Sequence, residues 1–391
     1  MINISDKKNC NGCCACFDIC PVNAIKMVTD PEGFWYPEVD FEKCTRCTKC
    51  INVCPEINYP KIKNRDNIEP ACFVVNNKNL EVRKDSTSGG VFSAFADYFY
   101  EINGSVSGAV YNDDFSVRHI VSQDSNDLKN LRSSKYLQSD LSGIYKEISK
   151  KLNDDKNVLV CGCPCQMAAL RLFLGKDYDN LLICDFICKG INSPKIFRKH
   201  LDSLEKEFNS DIEYIKAKSK EFGWRSLTLK VEFKNKKIYY GDGHYDNFMR
   251  GYLSSGYFCR PSCYECNFKT LPRYADITLG DFWGVEKISP DLDDNLGTSA
   301  VICNTLKGLN FFWSINNRFL YHKIKIGDIY IGNKHLFDSL KTDTRKRKLF
   351  FSNIDKYTFP EISEKFFPLK TKYNKWRKLL NFVKILTKKW R

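Results

Sequence analysis

Apolar positions along the chain fall into two regimes. In the first, the apolar runs are very short. Ile25-Lys26-Met27-Val28 and Phe34-Trp35-Tyr36-Pro37 flank Asp30-Pro31-Glu32-Gly33, which predicts a hairpin around a Pro/Gly turn, after a helical turn over Pro21 to Ile25. In the second, from residue 71 onward, compact apolar runs alternate with helical stripes. Ala71 to Val75, Gly108 to Tyr111, Val158 to Cys161 and Leu181 to Ile187 predict strands. Val91, Phe92, Phe95, Ala96 and Phe99 make one stripe of a helix over 89–100. Further helices are predicted over 141–152, over 166–174, and from a Ser193-Pro194 cap to about Phe208. Strands alternating with helices indicate an α/β domain with a mostly parallel sheet. Thr228 to Phe233 and Lys237 to Tyr240, around Asn235, predict a hairpin on its edge.

The cysteines explain why the first regime needs so little apolar core. They form two runs offset by 34 residues: Cys10-x2-Cys13-x2-Cys16-x3-Cys20-Pro21 and Cys44-x2-Cys47-x2-Cys50-x3-Cys54-Pro55. Each is the bacterial-ferredoxin signature of a [4Fe–4S] cubane, and the fourth cysteine of each run ligates the other run's cluster. The spacing therefore assigns Cys10, Cys13, Cys16 and Cys54 to one cluster, and Cys20, Cys44, Cys47 and Cys50 to the second. Zinc would need two ligand pairs, not four cysteines and a proline repeated in order. Cys14, off register, reads as a small buried filler. The predicted organisation is an α+β ferredoxin-like dicluster domain at 1–58 and a polar linker at 59–70. A larger α/β domain follows at 71–340, then a basic C-terminal helical tail at 341–391.

Composition changes this picture in three ways. With 391 residues, 43% of them hydrophobic, the second domain can bury a full core. Nineteen cysteines, an odd number clustered at ligand spacings, point to a reducing compartment and bound metal. The amino terminus offers no secretory signal and no apolar run could span a membrane, so a cytoplasmic location is expected. The formal charge of +14 falls to about +8 if three cubanes, each about −2 with its thiolates, are bound. Nucleic-acid binding is therefore not the expected use of the basic balance. Much of the excess sits in 370–391, with nine Lys and Arg and no acid, where Trp376, Leu379, Leu380, Val383, Leu386 and Trp390 recur at helical spacing. Two readings fit this tail. It packs its stripe on the chain's own core, or it makes peripheral contact with anionic lipid at the inner face of the membrane.

A second cysteine constellation lies in the large domain. Cys165 ends a strand-to-turn segment, Cys188 ends the next strand, and Cys263-x2-Cys266 follows later. Ligands gather at the carboxyl ends of strands in open α/β sheets, so these four can close a third cubane, hold zinc, or be inert buried thiols. Cys72, Cys161, Cys184 and Cys303 sit in apolar runs and read as core. The five histidines share no motif and nominate no ligand or base.

Further motifs carry a resemblance: Ser88-Gly89-Gly90, Ser134-Lys135-Tyr136, Gly162-x-Pro164-Cys165-Gln166, Cys188-x-Gly190, Cys263-x2-Cys266 and Ala275-Asp276-Ile277-x2-Gly280-Asp281. In this order the stretch from about Ala71 to Gly308 resembles the beta-subunit family of coenzyme F420 hydrogenases and dehydrogenases, several of which carry a fused ferredoxin segment. The resemblance implies a third [4Fe–4S] cluster on Cys165, Cys188, Cys263 and Cys266. It also implies a flavin, FAD or FMN, near Ser88, Gly89, Gly90, Lys135, Tyr136, Gly280 and Asp281. Cys163 stands where the relatives often carry threonine, and with Cys259 it keeps the ligand set open. Ser88-Gly89-Gly90 precedes a helix, so its amides can face a phosphate, and Lys135 can neutralise one. An ordinary helix cap is the plainer reading of the same loop. No side chain is evident as an acid or base, so no catalytic residue is nominated.

The function expected is a flavin-dependent iron–sulfur oxidoreductase acting on a small molecule, coenzyme F420 or another metabolite. It would exchange electrons with a redox partner protein or a ferredoxin-type carrier. The alternative is a non-catalytic electron-transfer subunit serving a partner oxidoreductase. A cysteine-rich zinc scaffold is the remote third reading.

Overall fold

The structure, a computed structural model, describes residues 1–59 and 68–369. Most of the expected linker and the whole of the 370–391 tail, with both readings of it, lie outside the described residues.

The amino-terminal segment is a small unit built on one hairpin. Strands β1 (Ile25–Thr29) and β2 (Trp35–Val39) pair antiparallel with Val28 opposite Tyr36, around the Pro/Gly turn. Short helices Ala15–Asp18, Lys49–Asn52 and Pro55–Asn58 complete it. Its apolar clusters are small, Ile2, Ala24 and Ile25 with a set of cysteines and Phe34 with Tyr36 beside Cys10, too little to hold 58 residues by burial alone.

The large domain is organised by nine strands: β3 (Ala71–Asn77), β4 (Ser105–Tyr111), β5 (Val117–Ser122), β6 (Ser139–Asp140), β7 (Val158–Gly162), β8 (Leu181–Phe186), β12 (Ile277–Asp281), β13 (Ser299–Cys303) and β14 (Phe319–Ile324). Their order is β14-β3-β13-β12-β8-β7-β4-β5-β6. The central four, β12-β8-β7-β4, run parallel, while β14, β3 and β13 on one flank and β5 on the other pair antiparallel. Central strands are covered on both faces, as parallel strands require. Leu159 and Leu182 meet Val91, Phe95 and Phe312 of helices Val91–Glu101 and Leu306–Ser314. Val158, Val160, Leu181 and Ile183 meet helices Ile144–Asn153 and Pro164–Leu174 on the opposite face. Asp276 ties β8 to β12: its carboxylate accepts from Ile183 N, Arg171 and Thr305.

Between β8 and β12 the chain inserts a second module. Helix Pro194–Phe208 and a separate sheet share one core with helices Asn247–Ser254, Thr344–Asn353 and Phe359–Phe366. That sheet consists of β9 (Ile212–Ser219), β10 (Thr228–Phe233) and β11 (Ile238–Gly241). The 228–240 hairpin is thus present but not on the edge of the large sheet. It pairs with β9, whose alternation was too charged to read as a strand. The His200 ring nitrogen Nε2 lies 2.9 Å from the Asp246 carboxylate, both buried inside this module.

The small unit is docked onto the large one through polar contacts. The Asp18 carboxylate accepts from Gly143 N at 2.6 Å and Tyr145 N at 3.0 Å, supplying the cap that Gly143 cannot. Arg347 forks onto Glu32 at 2.6 and 2.8 Å, and Ser193 donates to the Glu32 carbonyl. Gly12 is required where the units meet. Its φ is +66°, and a Cβ there would lie 2.4 Å from Gln138 Nε2.

Candidate functional site

Two cavities lie in the small unit. One is lined by Cys10, Cys13, Cys16 and Cys54 with Ile2, Ile4 and Met27. The other is lined by Cys20, Cys44, Cys47 and Cys50 with Val22, Ala24 and Val39. Each run thus shares its cavity with the fourth cysteine of the other run. Backbone amides point at the sulfurs: Gly12 N at Cys10, Ala24 N at Cys20 and Ile2 N at Cys50, at 3.2–3.4 Å. The inner set lies under the large domain. The outer set opens to solvent through Cys47, the one exposed cysteine among the described residues. Burial first, then neighbouring cysteines, pushes Cys13 and Cys16 well above the usual thiol range. Cys54 is raised by burial to about 11. Crowded, buried thiols cannot all ionise as they stand, and ligating a multivalent cation is what would let them. Cys14 is buried against Ala15 and Val53.

The large domain brings six cysteines to one place at the carboxyl ends of β7 and β8. Cys163 and Cys165 open helix Pro164–Leu174, with Pro164 at its first position. Gln166 accepts from Cys163 N at 2.8 Å and holds that turn. Cys188 follows β8, and Cys259, Cys263 and Cys266 surround a short 3₁₀ turn, Pro261–Glu265. Ile191 N donates to Cys263 Sγ at 3.4 Å. Burial raises Cys165, with Cys266, Cys188 and Cys263 adding to it in that order, so these four share one electrostatic environment. The Cys163 thiol lowers Cys188, and Lys269 and Arg273 lower it further. Cationic surroundings of this kind suit a thiolate set. Tyr145 joins the inner N-terminal set to this one: it donates to the Cys13 carbonyl at 2.7 Å, and its phenol is raised by burial, then by Cys13, Cys14 and Cys165. Among the described residues, no three His, Cys, Asp or Glu side chains converge on a single ion.

The residues expected near a flavin form a second locus. Ser134 N donates to Thr87 Oγ1 at 2.8 Å, placing the 134–136 segment beside the Ser88-Gly89-Gly90 loop. Gly89 passes so close to β3 that a Cβ would lie 2.4 Å from the Val75 carbonyl. Its amide is engaged by Ser299 Oγ at 2.9 Å, and Ser88 Oγ by the Thr298 carbonyl at 2.8 Å. Gly90 caps helix Val91–Glu101 with φ +81°. Tyr136 holds φ +52°, strained for a bulky residue, and its phenol is raised by burial, then by Asp281. Gly280 abuts Ile187. Asp281 accepts from Lys218 at 2.8 Å and from Trp224 Nε1 at 3.2 Å. Lys135 departs from its expected role as a phosphate neutraliser. Its ammonium is turned inward and donates to the carbonyls of Asn130, Leu131, Arg132 and Ser133 at 2.7–3.1 Å. The reason is local: helix Leu128–Leu131 ends there with carbonyls to satisfy. Burial lowers Lys135 to about 7.

Three further lysines beside this locus were missed by the sequence reading. Lys216 and Lys218 on β9, and Lys220 just beyond it, project to one side at two-residue spacing. Lys216 pairs with Asp85, and Lys218 lies 4.7 Å from the ring centre of Trp283. Lys220 donates to the carbonyls of Arg83, Ser88 and Leu296. The alternation Lys216-Ala217-Lys218-Ser219-Lys220 was the available signal.

Asp185 on β8 was also passed over. It is fully buried, and neither carboxylate oxygen has a well-formed hydrogen bond among the described residues. Burial raises it from 3.8 to about 6, with Arg273 and then Thr278 pulling only partly against that. The folded state therefore loses stability as pH climbs from about 4 to about 6, and stays penalised above. Asp185→Asn should stabilise the protein at pH 7 by up to about 3 kcal/mol and flatten its stability between pH 4 and 6. Anaerobic denaturant unfolding across that range checks it; an unchanged slope would exclude this role for Asp185.

Residues 9–57 match the 4Fe-4S dicluster domain, and residues 155–326 match the carboxyl-terminal domain of the coenzyme F420 hydrogenase/dehydrogenase beta subunit. The chain thus joins a 4Fe-4S dicluster domain to a domain of the coenzyme F420 hydrogenase/dehydrogenase beta-subunit family. No curated protein matches it. Among solved structures, a chain of the F420-reducing [NiFe] hydrogenase complex from Methanosarcina barkeri is 19% identical, with a TM-score of 0.44. The match covers 74% of this chain and 89% of that one. Among the described residues, no helix is long and apolar enough to cross a membrane.

Proposed function

We propose that this protein is a flavin-dependent iron–sulfur oxidoreductase. In this reading Cys10, Cys13, Cys16 and Cys54 hold an inner cluster, and Cys20, Cys44, Cys47 and Cys50 an outer one. Cys165, Cys188, Cys263 and Cys266 hold a third, beside a FAD or FMN site at Ser88, Gly89, Gly90, Tyr136, Gly280 and Asp281. The observation that carries it is the succession of cysteine sets: an outer one open to solvent, an inner one, and a third linked to the inner by Tyr145. When bound, cubanes supply one-electron steps and a flavin supplies hydride chemistry, so one chain would couple the two kinds of traffic.

The chain's own residues bind and tune. Lys218, paired with Asp281, is the cation that stands beside the proposed flavin site, while Lys220, like Lys135, spends its ammonium on backbone carbonyls. Asp281 positions Lys218 and Trp224. Around the outer set, Arg46 and Lys49 are exposed beside Cys47 and make no ion pair among the described residues. They suit an acidic redox partner. A non-catalytic electron-transfer subunit remains the second reading, favoured by the internal engagement of Gly89 N and Lys135.

Cofactor analysis of anaerobically purified protein separates the two. About 12 iron and one flavin per chain supports the oxidoreductase. Iron without flavin, and no flavin taken up on adding FAD or FMN, would leave the subunit reading.

A further inference from the structure

Arg260 is the most unusual charge in the molecule. It is fully buried and forms no ion pair with a carboxylate among the described residues. Its guanidinium donates to the Cys10 carbonyl at 2.7 Å, the Trp35 carbonyl at 2.9 Å, Gln138 Oε1 at 3.1 Å and Cys10 Sγ at 3.4 Å. It stacks 4.0 Å from the ring centre of Tyr36. Its own backbone lies in the third cysteine set, between Cys259 and Cys263, and its charge also lowers Cys263. A buried guanidinium costs too much without negative charge beside it, and the nearest source is the Cys10 sulfur as a thiolate ligand.

We propose that Arg260 is the built-in counter-ion of the inner cluster and makes it the more easily reduced of the N-terminal pair. This rests on the cluster assignment proposed above. Cluster potentials follow net charge, hydrogen bonds to sulfur and solvent exposure. Both sets receive amide hydrogen bonds, so those do not separate them. Solvent at Cys47 favours reduction of the outer cluster. A desolvated charge in contact with a ligand sulfur outweighs it, because nothing screens that charge. Arg46 and Lys49, by contrast, act through water and salt. Electrons entering at the solvent-open set would then move inward, downhill. Arg260 is a positioning and tuning residue, not a catalytic one.

The test is a potentiometric titration of the full-length, iron-loaded protein, followed by electron paramagnetic resonance. A soluble paramagnetic relaxation agent identifies the exposed cluster. In the native protein, the N-terminal signal that appears first on reduction should be the one insensitive to the agent. Arg260→Gln should lower that cluster's reduction equilibrium at least about tenfold, about 59 mV for one electron, and leave the exposed cluster unmoved. Arg260→Lys should recover part of the shift. An agent-sensitive cluster reducing first would overturn the proposal, as would equal shifts of both clusters in Arg260→Gln. The native titration decides even if the variant loses its inner cluster. Iron well below about eight per chain would overturn the cluster assignment and the proposal with it. A reversed order in loaded protein would overturn the proposal alone.

Discussion

Replacing Cys54 by serine should remove the cluster of the first cysteine run, although Cys54 belongs to the second. Cys54 caps helix Pro55–Asn58, and Pro55 sets its exit direction. That turn carries the sulfur out of its own run and into the cavity of Cys10, Cys13 and Cys16. Cys20 makes the reciprocal exchange, ahead of Pro21, into the cavity of Cys44, Cys47 and Cys50. Cys54→Ser should therefore cost up to about four iron per chain and leave a cluster that a relaxation agent can reach. Cys20→Ser should cost as much and leave the shielded one. If each run held its own cluster, the two variants would exchange outcomes. Iron analysis with the relaxation measurement on both variants distinguishes these arrangements.

The grouping of the cysteines around two cavities was legible because ligand spacing is local: three cysteines on one turn and a proline stop are written consecutively. The hairpin and the strands around residues 158–162 and 181–186 were legible for a similar reason, since period-two and fully apolar runs need no distant partner to be seen. The placement of β9 was not. Lys216, Lys218 and Lys220 look like a solvated face until the fold supplies Asp85, Asp281 and two tryptophans to receive them. Lys135 is a different case. Its neighbours in sequence, Asn130 to Ser133, end a helix whose carbonyls claim the ammonium, and no motif reports that. Arg260 sits between two cysteines and was invisible because its partners lie 122–250 residues away. Local chemistry can be read along the chain, whereas electrostatic partnership depends on long-range contacts that a single sequence does not display.

The third cysteine set is where the largest change in cofactor content should follow from one substitution outside the small unit. Cys165→Ala should lower iron from about 12 to about 8 per chain while both N-terminal signals persist. Its sulfur sits at the second position of helix Pro164–Leu174, where the positive end of the helix favours a thiolate. Cys266, Cys188 and Cys263 all act on it. Cys163 is different. It precedes the helix and its thiol lowers Cys188, so it supports a thiolate instead of presenting one. Cys163→Ala should keep all the iron and shift the potential of the third cluster downward, because a thiol that favours the Cys188 thiolate is lost. Iron falling by about four in Cys163→Ala, with Cys165→Ala unaffected, would exchange their roles. Iron at about 8 in the native protein would remove the third cluster altogether, leaving six thiols, three of them buried, with Lys269 and Arg273 beside Cys188 and no metal among them.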